Sequence, residues 1–290
     1  MSSTAFAPTT SSLIESNVVT VSEVAPGYLR VVINNPPLNL FDPVVFAGLH
    51  LLQEYVDDPG HDVKALVLES ANPDFFIAHL DLASMGTVPD IPGAQNLIQN
   101  WPGFSHWLSA SPVVSIAKVR GRARGIGNEL LLACDLRFAS RENARLGQIE
   151  VGFGLVPGGG GLEWLPQHVG RARALEIVLS ADDFGADTAE LYGWINRSLP
   201  DAELDAYVDQ LARRIVTFDA TALATTKQLL GKRLAPPTEA DFKESFDTIL
   251  KLASSDASKA IIARLQAKAG GSFVPKELDL PQVYGHPDEA

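Results

Sequence analysis

The chain has 290 residues, of which 46% are hydrophobic, and a formal net charge of −12. This is enough apolar material for one large domain or two small ones, and the negative charge argues against a nucleic-acid partner. A single cysteine, Cys134, excludes a disulfide within the chain and is typical of a protein from a reducing compartment.

The N-terminal residues 1–15 are rich in Ser, Thr, Ala and Pro and are expected to form a flexible tail. They lack the basic and apolar regions of a secretory signal. No apolar run in the chain approaches the roughly 20 residues that a membrane helix needs. We therefore expect a cytoplasmic protein without a membrane partner.

Residues 16–200 alternate between short apolar runs and segments of helical spacing. Helical spacing predicts a helix over 42–58, which begins with an Asp and a Pro, and a short one over 129–134. The apolar runs predict strands over 18–25, 28–34, 65–70, 112–119 and 135–140. Strands that alternate with helices indicate an α/β core with parallel strand pairing.

The pattern becomes helical from residue 201 to about residue 270, where apolar residues recur at helical spacing. The last part, 271–290, is interrupted by Pro and Gly and is expected to be a tail. We expect this tail to pack on the body of the protein or on another subunit.

Common catalytic and cofactor motifs are missing from the sequence. The glycine clusters match neither a P-loop nor the dinucleotide fingerprint. The six histidines form no zinc motif, and the nucleophile motif G-x-S-x-G is absent. Carboxylates and backbone groups therefore remain as the candidate chemistry.

Two glutamates lie in apolar, glycine-rich surroundings: Glu129, in GRARGIGNELLLACDL, and Glu150, in ARLGQIEVGFGLVPGGGG. Burial raises the pKa of a carboxyl group, and two carboxyls in one site push their pKa values apart, which suits acid–base catalysis. The alternative is that each glutamate is a solvated turn residue.

Backbone N–H groups are a second candidate. A turn that opens a helix leaves its first N–H groups without partners, and such groups can stabilise an oxygen that gains negative charge. The turn 125–128 and the loop before Asp81 each precede a helix-like stretch. Both could supply such donors.

An ordered set of segments resembles the crotonase, or enoyl-CoA hydratase/isomerase, superfamily. These segments are PPLNLF (36–41), ALVLES (65–70), FFIAHLDL (75–82), the stretch 112–140, LGQIEVGFGLVPGGGG (146–161) and the stretch 169–197. The resemblance implies a spiral of ββα units followed by a helical trimerisation region, with homotrimers or dimers of trimers as the assembly.

The resemblance also implies roles for particular residues. The N–H groups of Leu80 and Ile126 would form an oxyanion hole for a thioester carbonyl, and Glu129 and Glu150 would be the two catalytic glutamates. Further candidates for the substrate pocket are Ala78, His79, Gly125, Gly127, Pro157 and Gly158.

The chain departs from the family pattern at several positions. His79 stands where relatives commonly have Gly, so it could narrow the acyl pocket or contact an unusual substrate. Arg122 and Arg124 replace Tyr or aliphatic residues. The late Glu-Gly and Glu-Lys signatures are missing, and Arg124, Lys227 and Lys268 are candidates for the lost contact to the CoA phosphates.

These observations predict an enoyl-CoA hydratase or isomerase that acts on an acyl-CoA and needs no metal or other cofactor, since CoA belongs to the substrate. One alternative is a crotonase-fold hydrolase that cleaves a C–C bond or a thioester, with a substrate that need not carry CoA. Another is a non-catalytic subunit that binds acyl-CoA or serves assembly.

Overall fold

The computed structural model describes residues 12–16, 18–82, 84, 97–234, 237–271 and 274–284. Most of the expected N-terminal tail and residues 285–290 lie outside this described part of the chain.

The strands agree with the sequence pattern to within about two residues at the five places where strands were predicted. In chain order they are β1 (Ser12–Glu15), β2 (Val19–Ala25), β3 (Tyr28–Ile33), β4 (Ala65–Ser70), β5 (Phe75–Ile77), β6 (Val114–Val119), β7 (Arg122–Arg124), β8 (Leu136–Ser140), β9 (Arg145–Gly147), β10 (Phe184–Gly185) and β11 (Arg197–Leu199).

The predicted helix at 42–58 is also confirmed, whereas the one predicted at 129–134 begins earlier, at Ile126. The helices are α1 (Pro43–Asp57), α2 (Leu97–Ala110), α3 (Ile126–Ala133), α4 (Gly161–Ser180), α5 (Ala186–Tyr192), α6 (Asp201–Val216), α7 (Ala220–Arg233), α8 (Glu239–Ala253), α9 (Asp256–Lys268) and α10 (Leu280–Tyr284), with 3-10 turns at Glu150–Phe153 and Val274–Asp279. No helix in the described part of the chain is both long and apolar enough to cross a bilayer.

The strands form two sheets. The larger has the order β1-β2-β3-β4-β6-β8-β11, in which β1, β2 and β3 pair antiparallel and every later pair is parallel. The smaller has the order β10-β9-β7-β5, with β9, β7 and β5 parallel. From β4 to β9 consecutive strands alternate between the sheets, so each pair β4–β5, β6–β7 and β8–β9 gives one strand to each. This is the ββα spiral of the crotonase fold.

Short turns force that alternation. β6 and β7 are separated by two residues, one of which, Gly121, has φ +66 and lies so close to Asp74 that a Cβ would overlap its backbone. Such a turn accepts only glycine, and it sends the chain directly from the large sheet to the small one.

Helices cover the sheets. α6 packs its apolar face, which includes Leu204 and Val208, on a face of the large sheet built around Val67 and Ile116. At the other end of the molecule, Leu265 of α9 and Leu280 of α10 bury the segment 149–155. The segment that carries Glu150 is therefore held by the C-terminal part of the same chain.

Candidate active site

A cavity of about 430 Å³ lies where β5, β7 and β9 end. Because these three strands are neighbours and parallel, their carboxyl ends meet at one edge of the small sheet, which is the usual place for a binding site in a parallel sheet. The residues that follow the three strands are His79 and Leu80, Gly125 and Ile126, and Glu150. All of them line the cavity.

Glu129 lies in the first turn of α3, and its side chain is 3% exposed. Its Oε1 accepts hydrogen bonds from the backbone N–H groups of Gly159 (2.9 Å) and Gly161 (3.1 Å). A Cβ on Gly159 would stand 2.3 Å from Glu129 Oε2, so only glycine lets the backbone approach this closely. The carboxyl is therefore fixed from one side, with Oε2 left for the cavity.

Glu150 opens the 3-10 turn after β9 and is held by a side chain instead. Gln148 Nε2 lies 3.0 Å from both carboxylate oxygens. Gln148 Oε1 accepts from Asn128 Nδ2 (2.6 Å), whose Oδ1 accepts from the indole N–H of Trp194 (2.9 Å). This chain of buried donors fixes Gln148 in the orientation that presents its N–H₂ to Glu150.

Both carboxyls have raised pKa values. Burial, together with the negative charge of Glu150, raises the pKa of Glu129 to about 8, against the lowering effect of the two N–H bonds. Burial raises the pKa of Glu150 to about 7, while Gln148 and the charge of His79 oppose the rise. Because the two groups interact, the protons belong to the pair. Near neutral pH the pair holds one proton, so it offers an acid and a base together.

The backbone on both sides of Leu80 is fixed by a bridge to Phe41. A parallel bridge joins Phe41 to Leu80 through two hydrogen bonds. Phe41 N–H donates to the carbonyl of His79 (2.8 Å), and Asp81 N–H donates to the carbonyl of Phe41 (2.9 Å). The bridge does not use the Leu80 N–H. Since N–H and C=O of one trans peptide point in opposite directions, this N–H points away from Phe41, and Leu80 itself lines the cavity.

The N–H of Ile126 is a second candidate donor to the cavity. Ile126 is the first residue of α3, and its preceding residue, Gly125, has φ 52, a backbone conformation that favours glycine. The first N–H groups of a helix have no partner within the helix. Ile126 lines the cavity, so α3 presents its positive end there.

His79 does not present a free nitrogen to the cavity. Its Nδ1 lies 2.8 Å from the carbonyl oxygen of Leu80, and its Nε2 lies 3.0 Å from Glu277 Oε1. Burial lowers the pKa of His79, but the hydrogen bond and charge of Glu277 outweigh this, and the pKa is raised. An acceptor oxygen lies at each ring nitrogen, which is the arrangement that an imidazolium satisfies, and the side chain is a wall of the pocket, 22% exposed.

The structure brings the two glutamates, the two oxyanion-hole candidates and three of the six substrate-pocket candidates to the cavity. Those that line it are His79, Leu80, Gly125, Ile126, Glu129, Glu150 and Gly158. Ala78 is fully buried. Ala78, Gly127 and Pro157 are not among the described residues that line the cavity. Gly127 has a packing role, since a Cβ there would come within 2.6 Å of the carbonyl of Ile77.

The three candidates for the CoA phosphates lie in very different places. Arg124 is fully buried, with its guanidinium bound to both carboxylate oxygens of Asp183 (2.8 and 2.5 Å). Lys227 Nζ forms an ion pair with Asp135 (2.7 Å) and donates to two carbonyls. Both charges are thus compensated within the chain. Lys268 is exposed at the end of α9, two residues after Gln266, which lines the cavity.

Sequence reasoning missed several residues that shape the site. Gln148 lies two residues before Glu150, and Asn128 lies one residue before Glu129. This closeness in sequence is the signal that could have identified them. Phe246 and Ile249 come from the C-terminal helical region and Glu277 from the segment that was expected to be a tail, and no local pattern connects them to the cavity. In the described part of the chain no group of three or more His, Cys, Asp or Glu side chains could hold a metal ion.

Comparisons with known proteins agree with this geometry. The sequence profile of the enoyl-CoA hydratase/isomerase family matches residues 24–269. The chain is 32% identical over 216 residues to the short-chain-enoyl-CoA hydratase of Clostridium acetobutylicum, covering 74% of this chain and 78% of that one. It is 30% identical over 221 residues to the crotonyl-CoA hydratase of Syntrophomonas wolfei subsp. wolfei, covering 76% and 83%.

A solved structure has the same architecture. A Streptomyces avermitilis protein proposed to be an enoyl-CoA hydratase superposes with a TM-score of 0.85 at 37% identity, and the match covers 95% of this chain and 99% of that one. The chain is therefore an enzyme of the crotonase superfamily and belongs to its enoyl-CoA hydratase/isomerase family.

Proposed function

We propose that the chain adds water across the double bond of a 2-enoyl-CoA thioester, and catalyses the reverse dehydration. The observation that carries this proposal is that Glu129, which is buried, and Glu150, which is half-buried, have raised pKa values and line one cavity with Leu80 and Ile126, the proposed backbone N–H donors. The names of the two hydratase relatives suggest a short-chain substrate such as crotonyl-CoA as the first one to test.

In the proposed reaction the thioester oxygen accepts hydrogen bonds from the N–H groups of Leu80 and Ile126. These bonds strengthen as negative charge develops on that oxygen, so they stabilise the enolate-like transition state more than the substrate. Water adds to C3 and loses a proton to the ionised carboxylate of the pair, while the protonated carboxyl delivers its proton to C2. The pair ends with one proton, as it began, so the cycle needs no further cofactor.

The cavity walls suit an acyl group. Apolar side chains from the early part of the chain, such as Leu38, Phe41 and Trp101, face Ile249 and Leu250 of α8 across the cavity. Burial of the acyl chain among them removes apolar surface from water. It also lowers the local dielectric constant around the carboxyl pair, which strengthens the interactions between charges in the site.

The structure weakens the motive for the hydrolase alternative. That hypothesis rested on His79 as a polar contact for an unusual substrate, yet both ring nitrogens are bound to protein acceptors. The same carboxyl pair is equally suited to moving a double bond from C3–C4 to C2–C3, because this takes one proton from C2 and returns one at C4. Isomerisation is thus a second activity to measure, with a 3-enoyl-CoA as substrate.

The experiment is to add crotonyl-CoA and longer 2-enoyl-CoAs to the purified protein and follow loss of the conjugated thioester absorbance. We expect turnover with wild-type protein and stabilisation against heating by CoA esters. Absence of turnover on every chain length, together with a melting temperature that CoA esters do not change, would contradict the proposal and favour a substrate without CoA.

A further inference from the structure

Glu277 is a third glutamate that lines the cavity, and the proposed chemistry does not use it. It belongs to the 3-10 turn Val274–Asp279, far along the chain from the other site residues, and only 1% of its side chain is exposed. A carboxylate this deeply buried is costly unless charged partners surround it. Its partners are therefore informative.

The first partner is His79. Glu277 Oε1 lies 3.0 Å from His79 Nε2, and His79 Nδ1 lies 2.8 Å from the carbonyl oxygen of Leu80. Both neighbours are acceptors, so both ring nitrogens must donate, which requires the imidazolium. Glu277 thereby holds the ring in the orientation that ties down the Leu80 peptide, next to the proposed donor N–H of Leu80.

The second partner is Arg124. Its Nη1 donates to the backbone carbonyl of Glu277 (2.6 Å) and lies 3.8 Å from Oε2 of the same residue. The other edge of the guanidinium is bound to both oxygens of Asp183. Arg124 ends β7, two residues before Ile126, so the second proposed donor is tied to the same glutamate. Arg122 adds a bond from Nε to the carbonyl of Leu278 (3.1 Å).

We propose that Glu277 is a positioning residue that holds both halves of the oxyanion hole, through His79 next to Leu80 and through Arg124 before Ile126. This inference rests on the proposed function, since it assigns a purpose to the two donors named there. The signs of the charges alternate from Asp183 through Arg124 and Glu277 to His79, so each buried charge has an opposite neighbour. The C-terminal segment 274–284 is in this account a part of the active site.

Removal of the Glu277 carboxylate would leave the His79 imidazolium without its counter-charge and would take the second of two carboxylates from the Arg124 guanidinium, which keeps Asp183. A displacement of either loop by about 1 Å is enough to reduce turnover about hundredfold when it misplaces catalytic groups. Because the two donors act on the transition state, the loss should appear in kcat, with KM changed much less.

The test compares Glu277→Ala, Glu277→Gln and the control Asp279→Asn, an exposed carboxylate on the same 3-10 turn. Steady-state kinetics with crotonyl-CoA give kcat and KM. A conjugated probe, 4-dimethylaminocinnamoyl-CoA, reports the oxyanion hole directly, since hydrogen bonds to its carbonyl shift its absorbance to longer wavelength. Melting temperatures show whether each variant is folded.

The charged groups around His79 are Glu277, Arg124 and Glu150, and they predict a distinct pH effect for Glu277→Gln. The amide can still hydrogen-bond a neutral ring, so kcat at its optimum should stay within about fivefold of wild type. The ring loses its counter-charge and becomes neutral, and its positive charge no longer lowers the pKa of Glu150. The acid limb of kcat/KM should therefore move to higher pH.

For Glu277→Ala we expect kcat to fall by about tenfold to hundredfold, KM to change by less than about threefold and the probe shift to shrink, while Asp279→Asn behaves as wild type. An alanine variant with wild-type kcat and probe shift, or with a change in KM alone, would overturn the inference. If that variant fails to fold, an unmoved acid limb in Glu277→Gln overturns it instead. An inactive wild type that does not shift the probe would overturn the proposed function itself.

Discussion

Glu129 and Glu150 line one cavity and are held in different ways: Glu129 by two backbone N–H groups, and Glu150 by the side-chain amide of Gln148. Neither carboxyl has a basic side chain in hydrogen-bond contact among the described residues. Burial therefore outweighs the hydrogen bonds in both, and the pKa values rise to about 8 and about 7. The pair is an acid and a base at the pH at which enzymes work.

The pH profile of activity follows from this pairing. Below the lower pKa of the pair both carboxyls are protonated and no base remains, and above the upper pKa both are ionised and no acid remains. With values of about 7 and about 8, we expect a bell-shaped kcat/KM with its maximum between them. A profile that stays flat from pH 5 to pH 9 would contradict the shared proton.

Folding stability should depend on the protonation of Glu129. The pKa of Glu129 is about 8 in the folded protein and about 4.5 in the unfolded chain, so the folded state keeps a proton that the unfolded state loses. The stability contributed by this proton is complete below pH 4.5 and is lost as the pH rises to about 8, at about 1.4 kcal/mol per pH unit.

Glu129→Gln removes this dependence and keeps the acceptor for the Gly159 N–H. We expect the difference in melting temperature, Glu129→Gln minus wild type, to increase steadily between pH 5 and pH 8 in a thermal unfolding series. The control is Glu203→Gln, an exposed carboxyl on α6, for which the difference should not change with pH. Parallel curves for Glu129→Gln and wild type would show that burial does not raise this pKa.

Local sequence was sufficient for five of the eleven described strands and for α1, and it singled out two glutamates that the structure brings to one cavity. Asp42 caps α1 by accepting from Val44 and Val45 N–H, and Pro43 follows it, as the residue types predict. The helix predicted to start at residue 129 begins three residues earlier, at Ile126, because Gly125 in the preceding turn is also the N-cap of α3.

The role of the two arginines could not be predicted from local sequence. Arg122 and Arg124 alternate on β7 and both donate to carbonyls near residue 278, about 150 positions away. The positive charge of Arg124 suggested a phosphate contact, but its position on the small sheet buries it against Asp183. Contacts between segments this distant depend on the tertiary fold, which the strand and helix pattern does not specify.

Lys268 is the one of the three phosphate candidates that lies exposed near the cavity. We expect Lys268→Ala to raise KM for crotonyl-CoA by about twofold to fivefold and to leave kcat unchanged, because an exposed charge pair contributes up to about 1 kcal/mol. Lys259→Ala, also exposed on α9, is the matched control. Equal KM values for both variants at low salt would remove Lys268 from the CoA site.

Exposed apolar side chains in the C-terminal helical region predict that the chain forms oligomers. No residue of α7 is buried, and Leu230 and Leu234 are 60% and 71% exposed in the single chain. Apolar surface of this kind marks interfaces, and we expect light scattering to give three or six times the 31.1 kDa of one chain. Replacement of Leu230 by Asp should weaken the assembly, whereas a wild-type protein that is monomeric at micromolar concentration would contradict this expectation.

The central claim is that Glu129 and Glu150 act as one unit, and a double-mutant cycle tests it most directly. The variants are Glu129→Gln, Glu150→Gln and the double replacement, with Glu163→Gln as the control. Glu163 is also a buried carboxyl, but it hydrogen-bonds Ser245 and is not among the described residues of the cavity lining.

The measurement is kcat for crotonyl-CoA hydration in all four variants, with melting temperatures to confirm folding. We predict a loss of about 10²- to 10⁴-fold in each single variant, nearly the same loss in the double variant because the two residues share one proton, and little change in Glu163→Gln. Losses that multiply in the double variant, or a single variant that keeps wild-type kcat, would contradict the account.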